Sequence, residues 1–308
     1  MRARVWLPMA KRGDYKGAPC YGKVAPAMNI LSIQSHVAYG HVGNSTAIPV
    51  LQRLGHEAWP VHTTLLSNHL GYPTHTGRVL PPEEVAEVVE GLAKLGLFGR
   101  FDALLSGFLG HAATVAADAA RRLKSARPEA IYCLDPVMGE RATGLYVAEA
   151  TVEAIGGLLL PLADFVLPNA FELDLLAGGR TRNLGEVIAA AKAVARRARP
   201  GAVVVATGLD HDAAPGERIE VLAAGREEVW LASVPRLELP LHGAGDLFAA
   251  TFLAHYLERR ELPAALEATM DSTHEVFVAS VGHEEMALVA ALDRLAHPPK
   301  VTRIERLS

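Results

Sequence analysis

The sequence predicts an α/β fold: a doubly wound, mainly parallel sheet flanked by helices, with an antiparallel hairpin near the C-terminal third. Short apolar runs such as Asn29–Gln34, Ala130–Leu134 and Ala202–Ala206 alternate with longer segments of helical period. That alternation gives parallel strands joined by crossover helices. Several of the runs end in glycine, proline or a carboxylate, residues that turn a chain toward a helix. Arg218–Ala223 and Glu227–Ala232 flank Ala224-Gly225-Arg226 and read as the hairpin.

Taken in order, Asn29–Gln34 is a buried first strand running into a polar, glycine-bearing loop, Ser35–Ser45, before a helix through Leu54. The carboxyl ends of parallel strands face the ligand crevice, so Ser35 and His36 hold binding positions. Ala58–Thr63 is extended and leads to the polar loop Ser67–Pro73, a second wall or a flap. Pro81-Pro82 introduces a helix over Glu83–Leu95, with Val85, Val88, Val89, Leu92 and Leu95 on one apolar face. Asp102–Gly107 is a strand ending in Gly107-Phe108-Leu109-Gly110, followed by an alanine-rich helix to about Arg127. Ala130–Leu134 delivers Asp135-Pro136-Val137-Met138-Gly139. After a further helix, Asp164–Leu167 closes with Pro168-Asn169-Ala170-Phe171-Glu172. Leu184–Arg199 is amphipathic with a basic end that suits a helix C-terminus. Ala202–Ala206 ends at Thr207-Gly208, and helices over Asp246–Arg259, Ala264–Val281 and Glu284–Leu295 finish the chain.

Composition narrows the classes. Half of the 308 residues are hydrophobic. No apolar run approaches the length of a membrane span, roughly 20 residues. A formal charge of −4 argues against a nucleic-acid partner. Cys20 and Cys133 are too few for a disulfide framework or a zinc site, which fits a reducing cytoplasm. The 13 histidines show no zinc-type spacing. Residues 1–27 carry six basic residues against Asp14 and read as a disordered basic tail or an over-long start, with Met28 as first residue. Residues 28–308 read as one domain.

The chemistry centres on Leu239–Ala250, where His242-Gly243-Ala244-Gly245-Asp246 precedes an apolar helical run. Glycines let successive N–H groups turn toward one point, and a helix beginning at about Asp246 adds unpaired donors and a positive dipole end. Together they form an anion hole for a phosphoryl group, with Asp246 placed to accept a proton from an attacking hydroxyl. The competing reading is a glycine-rich turn with Asp246 as N-cap. Asp135 and Glu172 are either turn and helix-dipole carboxylates or a pair that holds a magnesium ion through water.

Gln34-Ser35-His36-Val37-Ala38-Tyr39-Gly40-His41-Val42-Gly43-Asn44, Ser67-Asn68-His69, Asp135–Gly139, Pro168–Glu172 and Gly243–Asp246 resemble, in order and spacing, the pyridoxal kinases of the ribokinase-like superfamily. The first stretch is the particular one; the glycine-aspartate element and strand-end carboxylates are general to small-molecule kinases. The resemblance implies ATP-dependent phosphorylation of the 5′-hydroxymethyl group of pyridoxal, with Asp246 as base and Gly243, Ala244 and Gly245 as anion hole. It implies Asp135 and Glu172 at Mg2+ and the nucleotide, Asn169 and Thr207 on the ATP side, and a monovalent cation such as K+. Ser35 and His69 would flank the pyridine ring, and the protein would be a cytoplasmic homodimer. Three positions depart from the pattern: Leu70 and Phe108 stand where substrate-binding hydroxyls are common, and His242 where threonine often precedes the glycines. A hydroxymethylpyrimidine kinase of the same superfamily and a vitamer-binding regulatory protein without catalysis are the alternatives. Intact Asp246, Asp135 and Glu172 argue against the latter.

Overall fold

The computed structural model describes residues 27–209, 211–212, 216–239 and 242–307. The expectation for the basic tail therefore falls, but for Ala27, outside the described residues. Strand β1 (Asn29–Gln34) leads to a three-residue strand β2 (Val37–Tyr39), helix α1 (Asn44–Arg53), β3 (Glu57–His62), β4 (Thr64–Asn68) and β5 (Gly77–Val79). Then follow α2 (Pro82–Lys94), β6 (Ala103–Ser106), α3 (Ala113–Ala126) and β7 (Ile131–Leu134), and the small pair β8 (Gly139–Glu140) and β9 (Gly144–Leu145). Helix α4 (Glu149–Ala154) continues into irregular helical turns to Leu162, before β10 (Phe165–Val166), α5 (Ala170–Ala177), α6 (Leu184–Arg197) and β11 (Val203–Ala206). The hairpin β12 (Arg218–Ala224) and β13 (Val229–Pro235) precedes α7 (Ala244–Arg259), α8 (Leu262–Ala279), α9 (Leu288–Ala296) and β14 (Arg303–Leu307).

The main sheet has the order β14-β13-β12-β11-β10-β7-β6-β1-β3, parallel from β11 to β3 and antiparallel through β12, β13 and β14. Apart from the edge strand β3, the parallel strands are buried on both faces, which explains their nearly unbroken apolar runs. In β1, Ile30 packs with Leu51, Leu247 and Phe252 on one face, while Leu31 and Ile33 pack with Val89, Leu123 and Leu134 on the other. The winding reverses at β1: β3 lies on one side and β6 on the other. The carboxyl ends of these strands form the switch-point crevice where such sheets bind ligands.

The doubly wound sheet and the hairpin agree with expectation. Three features differ. The face expected on α2 is narrower: Val85 and Val89 are buried, but Val88 is 50% and Leu95 72% exposed, because α2 covers one margin of the sheet. The loops around Ser35–Ser45 and Ser67–Pro73 contain β2, β4 and β5, which pair as a small separate sheet in the order β2-β4-β5. The last described residues form β14 on β13, beyond the last helix that the sequence predicts.

Candidate active site

Helix α7 starts at Ala244, two residues earlier than the apolar pattern suggests, with Gly243 as N-cap at φ 81°. A Cβ on Gly243 would collide with the His41 carbonyl oxygen. Both the left-handed backbone and this contact therefore require glycine. Ala244, Gly245 and Asp246 thus form the first turn, whose N–H groups lack intrahelical acceptors. No side chain caps them among the described residues. The reading of Asp246 as N-cap does not hold.

Three carboxylates meet here. Asp135 follows β7, Glu172 lies in the first turn of α5 after β10, and Asp246 is on α7. Asp135 and Glu172 are buried and Asp246 is half-buried. The segment Val137–Gly139 turns three successive N–H groups onto the first two. Val137 N–H donates to Asp135, and Met138 and Gly139 N–H reach Glu172 Oε1 at 2.7 and 3.4 Å. Val137 adopts φ 35°. That conformation is costly for a β-branched residue, and such strain concentrates at functional sites. Glu172 Oε2 accepts from Asn169 N–H at 2.9 Å while Asn169 Oδ1 accepts from Glu172 N–H. This is a reciprocal capping box. Asn169 Nδ2 also donates to the Gly139 carbonyl, and Thr207 N–H donates to the Pro168 carbonyl, setting Thr207 beside Asn169.

Burial pushes the Asp135 carboxyl well above the ordinary carboxylate range, helped by the charges of Glu172 and then Asp246. Burial likewise raises Glu172 against its backbone donors, and raises Asp246 to about 6 against the opposing N–H of Gly43. No ion pair among the described residues neutralises any of the three. Among those residues, no three side chains of metal-binding type converge as direct ligands. A cation held through water or phosphate oxygens fits this donor set.

The wall of the crevice facing these carboxylates is built from loops. Gly43, at φ 53°, lies against Ser35, whose Oγ would collide with a Cβ at that position. Ser35 is buried at the end of β1, and its carbonyl accepts from Asn44 N–H. Much of the Gln34–Ser45 stretch is architectural. Asn44 Nδ2 reaches the Gln34 and Val61 carbonyls, and Ser45 Oγ donates to the Val37 carbonyl. Gly107 leaves room for the Gln34 carboxamide, whose Oε1 occupies the space of a Cβ.

His69 is buried, with both ring nitrogens engaged. Nδ1 accepts from Gly71 N–H at 3.2 Å, and Nε2 lies 2.9 Å from Glu285 Oε1. An accepting Nδ1 puts the proton on Nε2, which donates it to the carboxylate. Tyr72 OH donates to the same oxygen at 2.5 Å, and this bond raises the phenol's pKa. The His69 ring also lies 4.3 Å from that of His242 and 4.7 Å from that of Tyr72, so its faces as well as its nitrogens are engaged by the protein. Leu70 is 57% exposed. Phe108 is half-buried, and its carbonyl accepts from Thr63 Oγ1. Glu285 and Tyr72 were missed in the sequence, since neither belongs to a glycine or strand-end motif.

A family model described as phosphomethylpyrimidine kinase matches residues 52–287. Pyridoxal kinase PdxY of Rubrobacter xylanophilus is 44% identical over 285 residues, covering 91% of this chain and 98% of that protein. The chain belongs to the pyridoxal kinase family. Pyridoxal kinase PdxY of Deinococcus radiodurans is 41% identical over 91% of this chain and 96% of its own length. Among solved structures, pyridoxal kinase from Leishmania donovani in complex with ADP and pyridoxine superposes with TM-score 0.84 at 29% identity, covering 91% of this chain and 99% of that one.

Proposed function

We propose that this chain phosphorylates the 5′-hydroxymethyl group of pyridoxal at the expense of ATP. The observation that carries the mechanism is Asp246 in the first turn of an uncapped helix, beside two buried carboxylates without cationic partners among the described residues. Asp246, held by Gly43 N–H, accepts the hydroxyl proton. The freed oxygen attacks the γ-phosphorus, the bond to the bridging oxygen breaks, and ADP leaves. N–H groups of Gly243, Ala244 and Gly245 receive the charge that develops on the phosphoryl oxygens. Asp135 and Glu172 would hold Mg2+ through water, and the ion neutralises phosphate charge when bound. Asn169 and Thr207 border the nucleotide, while Ser35, His69, Leu70 and Phe108 border the vitamer. A monovalent cation such as K+, a homodimer and a cytoplasmic setting complete the reading on the strength of the resemblance. No helix among the described residues is long and apolar enough to cross a membrane.

The test is ATP consumption with pyridoxal, pyridoxine, pyridoxamine and hydroxymethylpyrimidine at matched concentrations. The highest kcat/KM is expected with pyridoxal. Preference for the pyrimidine would overturn the substrate and keep the phosphoryl chemistry; binding without turnover would overturn the enzyme.

A further inference from the structure

Glu285 lies in the turn between α8 and α9, far from every motif that marks the site, yet it touches both loops of the acceptor side. Its Oε1 receives His69 Nε2–H and Tyr72 OH from the loop after β4. The same carboxylate accepts His41 N–H from the loop after β2. A Cβ at Gly40 would approach Glu285 Oε2 to 3.1 Å, so the second oxygen is pressed on that loop as well.

The His41–Gly43 segment is clamped from its other side by the catalytic turn. The His41 carbonyl packs on Gly243, and Gly43 N–H donates to Asp246. A continuous path therefore runs from His69 and Tyr72 through Glu285 to His41, and from Gly43 to Asp246. The flap has a second contact, because the ring of His242, directly before the glycine turn, rests on Gly71.

We propose that Glu285 is the positioning residue of the acceptor side, tying the 69–72 flap to the 40–43 loop and through it fixing the orientation of Asp246. This rests on the assignment of Asp246 as base and of the pocket as the vitamer site. A carboxylate suits the task because it accepts several donors at once, whereas a carboxamide offers one acceptor oxygen.

The test compares Glu285→Ala, Glu285→Gln and Tyr72→Phe in the full chain, by steady-state kinetics and by amide hydrogen exchange without ligands. Glu285→Ala is expected to lower kcat/KM for pyridoxal about 30-fold while leaving the KM for ATP within about twofold, because charge-assisted bonds are lost from the acceptor side alone. Glu285→Gln falls between Ala and wild type, and Tyr72→Phe stays closest to wild type. Exchange is expected to quicken in both 38–43 and 67–73 in Glu285→Ala. Unchanged acceptor kinetics would overturn the proposal, as would a parallel loss for both substrates accompanied by a lower Tm. If wild-type protein does not phosphorylate pyridoxal, the functional reading fails by itself. The exchange comparison still decides the clamp, and protection unchanged in either segment refutes it.

Discussion

Glu172 and Glu285 are both glutamates at the site, and they are held in opposite ways. Glu172 is fixed by backbone N–H groups of Met138, Gly139 and Asn169, all within strand-end turns of the main sheet. Glu285 is fixed mainly by side chains, His69 and Tyr72, which a loop far away in sequence brings to it. The proposed nucleotide side is thus set by backbone geometry that few substitutions can alter. The proposed acceptor side is set by side chains that can be exchanged one at a time. A fold organised in this way can change its alcohol substrate while keeping its phosphoryl chemistry.

The largest effect should come where the two sides meet. Asp246→Asn keeps an oxygen for Gly43 N–H and removes the proposed base, so kcat should fall by roughly 10²–10⁴-fold. ATP and vitamer binding, measured by calorimetry, should persist. Turnover close to wild type would remove Asp246 from the proton transfer.

Next is the backbone-held glutamate. Glu172→Gln places an amide group against a buried N–H donor, and an unsatisfied buried donor costs about 2 kcal/mol. The urea midpoint should drop accordingly with m unchanged. Glu285→Gln, where Tyr72 and the carboxylate itself are only partly buried, should cost less than about 1 kcal/mol in the same assay. Equal losses would erase the contrast between the two regions.

The legibility of the sequence followed the same division. The main strands were readable because burial on both faces makes each a short apolar run. Asp135 and Glu172 were readable because each follows such a run within a few residues. The small sheet was not, since β2 and β5 are very short and β2 pairs with β4 only across the whole of α1 and β3. In β14, Arg-Ile-Glu-Arg-Leu carried no strand signal in the sequence, because its charges suit an exposed edge strand. Glu285 had no local signal at all. Its partners lie 216 and 213 residues away, and only the folded chain brings them together.

A smaller effect concerns pH. The Asp246 carboxyl titrates at about 6 in the folded protein against an ordinary 3.8. As a base it works when ionised, so kcat/KM should rise about tenfold per pH unit up to about 6 and then level. Stability should run the other way. A folded pKa above the unfolded one means that the contribution of Asp246 is fully present below 3.8 and is lost as pH rises through about 6. Asp246→Asn should flatten both trends over this window. An acid limb centred near the ordinary carboxylate value would show that charge supplied by the bound nucleotide complex, rather than burial, governs the base.

The smallest effect is expected at Leu70, which departs from the hydroxyl common at this position in the resembling sequences. More than half of its surface is exposed. Leu70→Thr therefore removes little packing and should change stability by less than about 0.5 kcal/mol. His69 beside it already spends both nitrogens on Gly71 and Glu285, which anchors the flap without help from residue 70. The kcat/KM for pyridoxal should therefore move by less than about threefold, the lower end of what one hydrogen bond contributes. A gain beyond about tenfold, at the upper end of that range, would mean that the flap turns residue 70 onto the ring when the vitamer binds. The acceptor wall would then be assembled by the substrate rather than held ready by Glu285, and the difference between the two sides of the site would be one of motion as well as of construction.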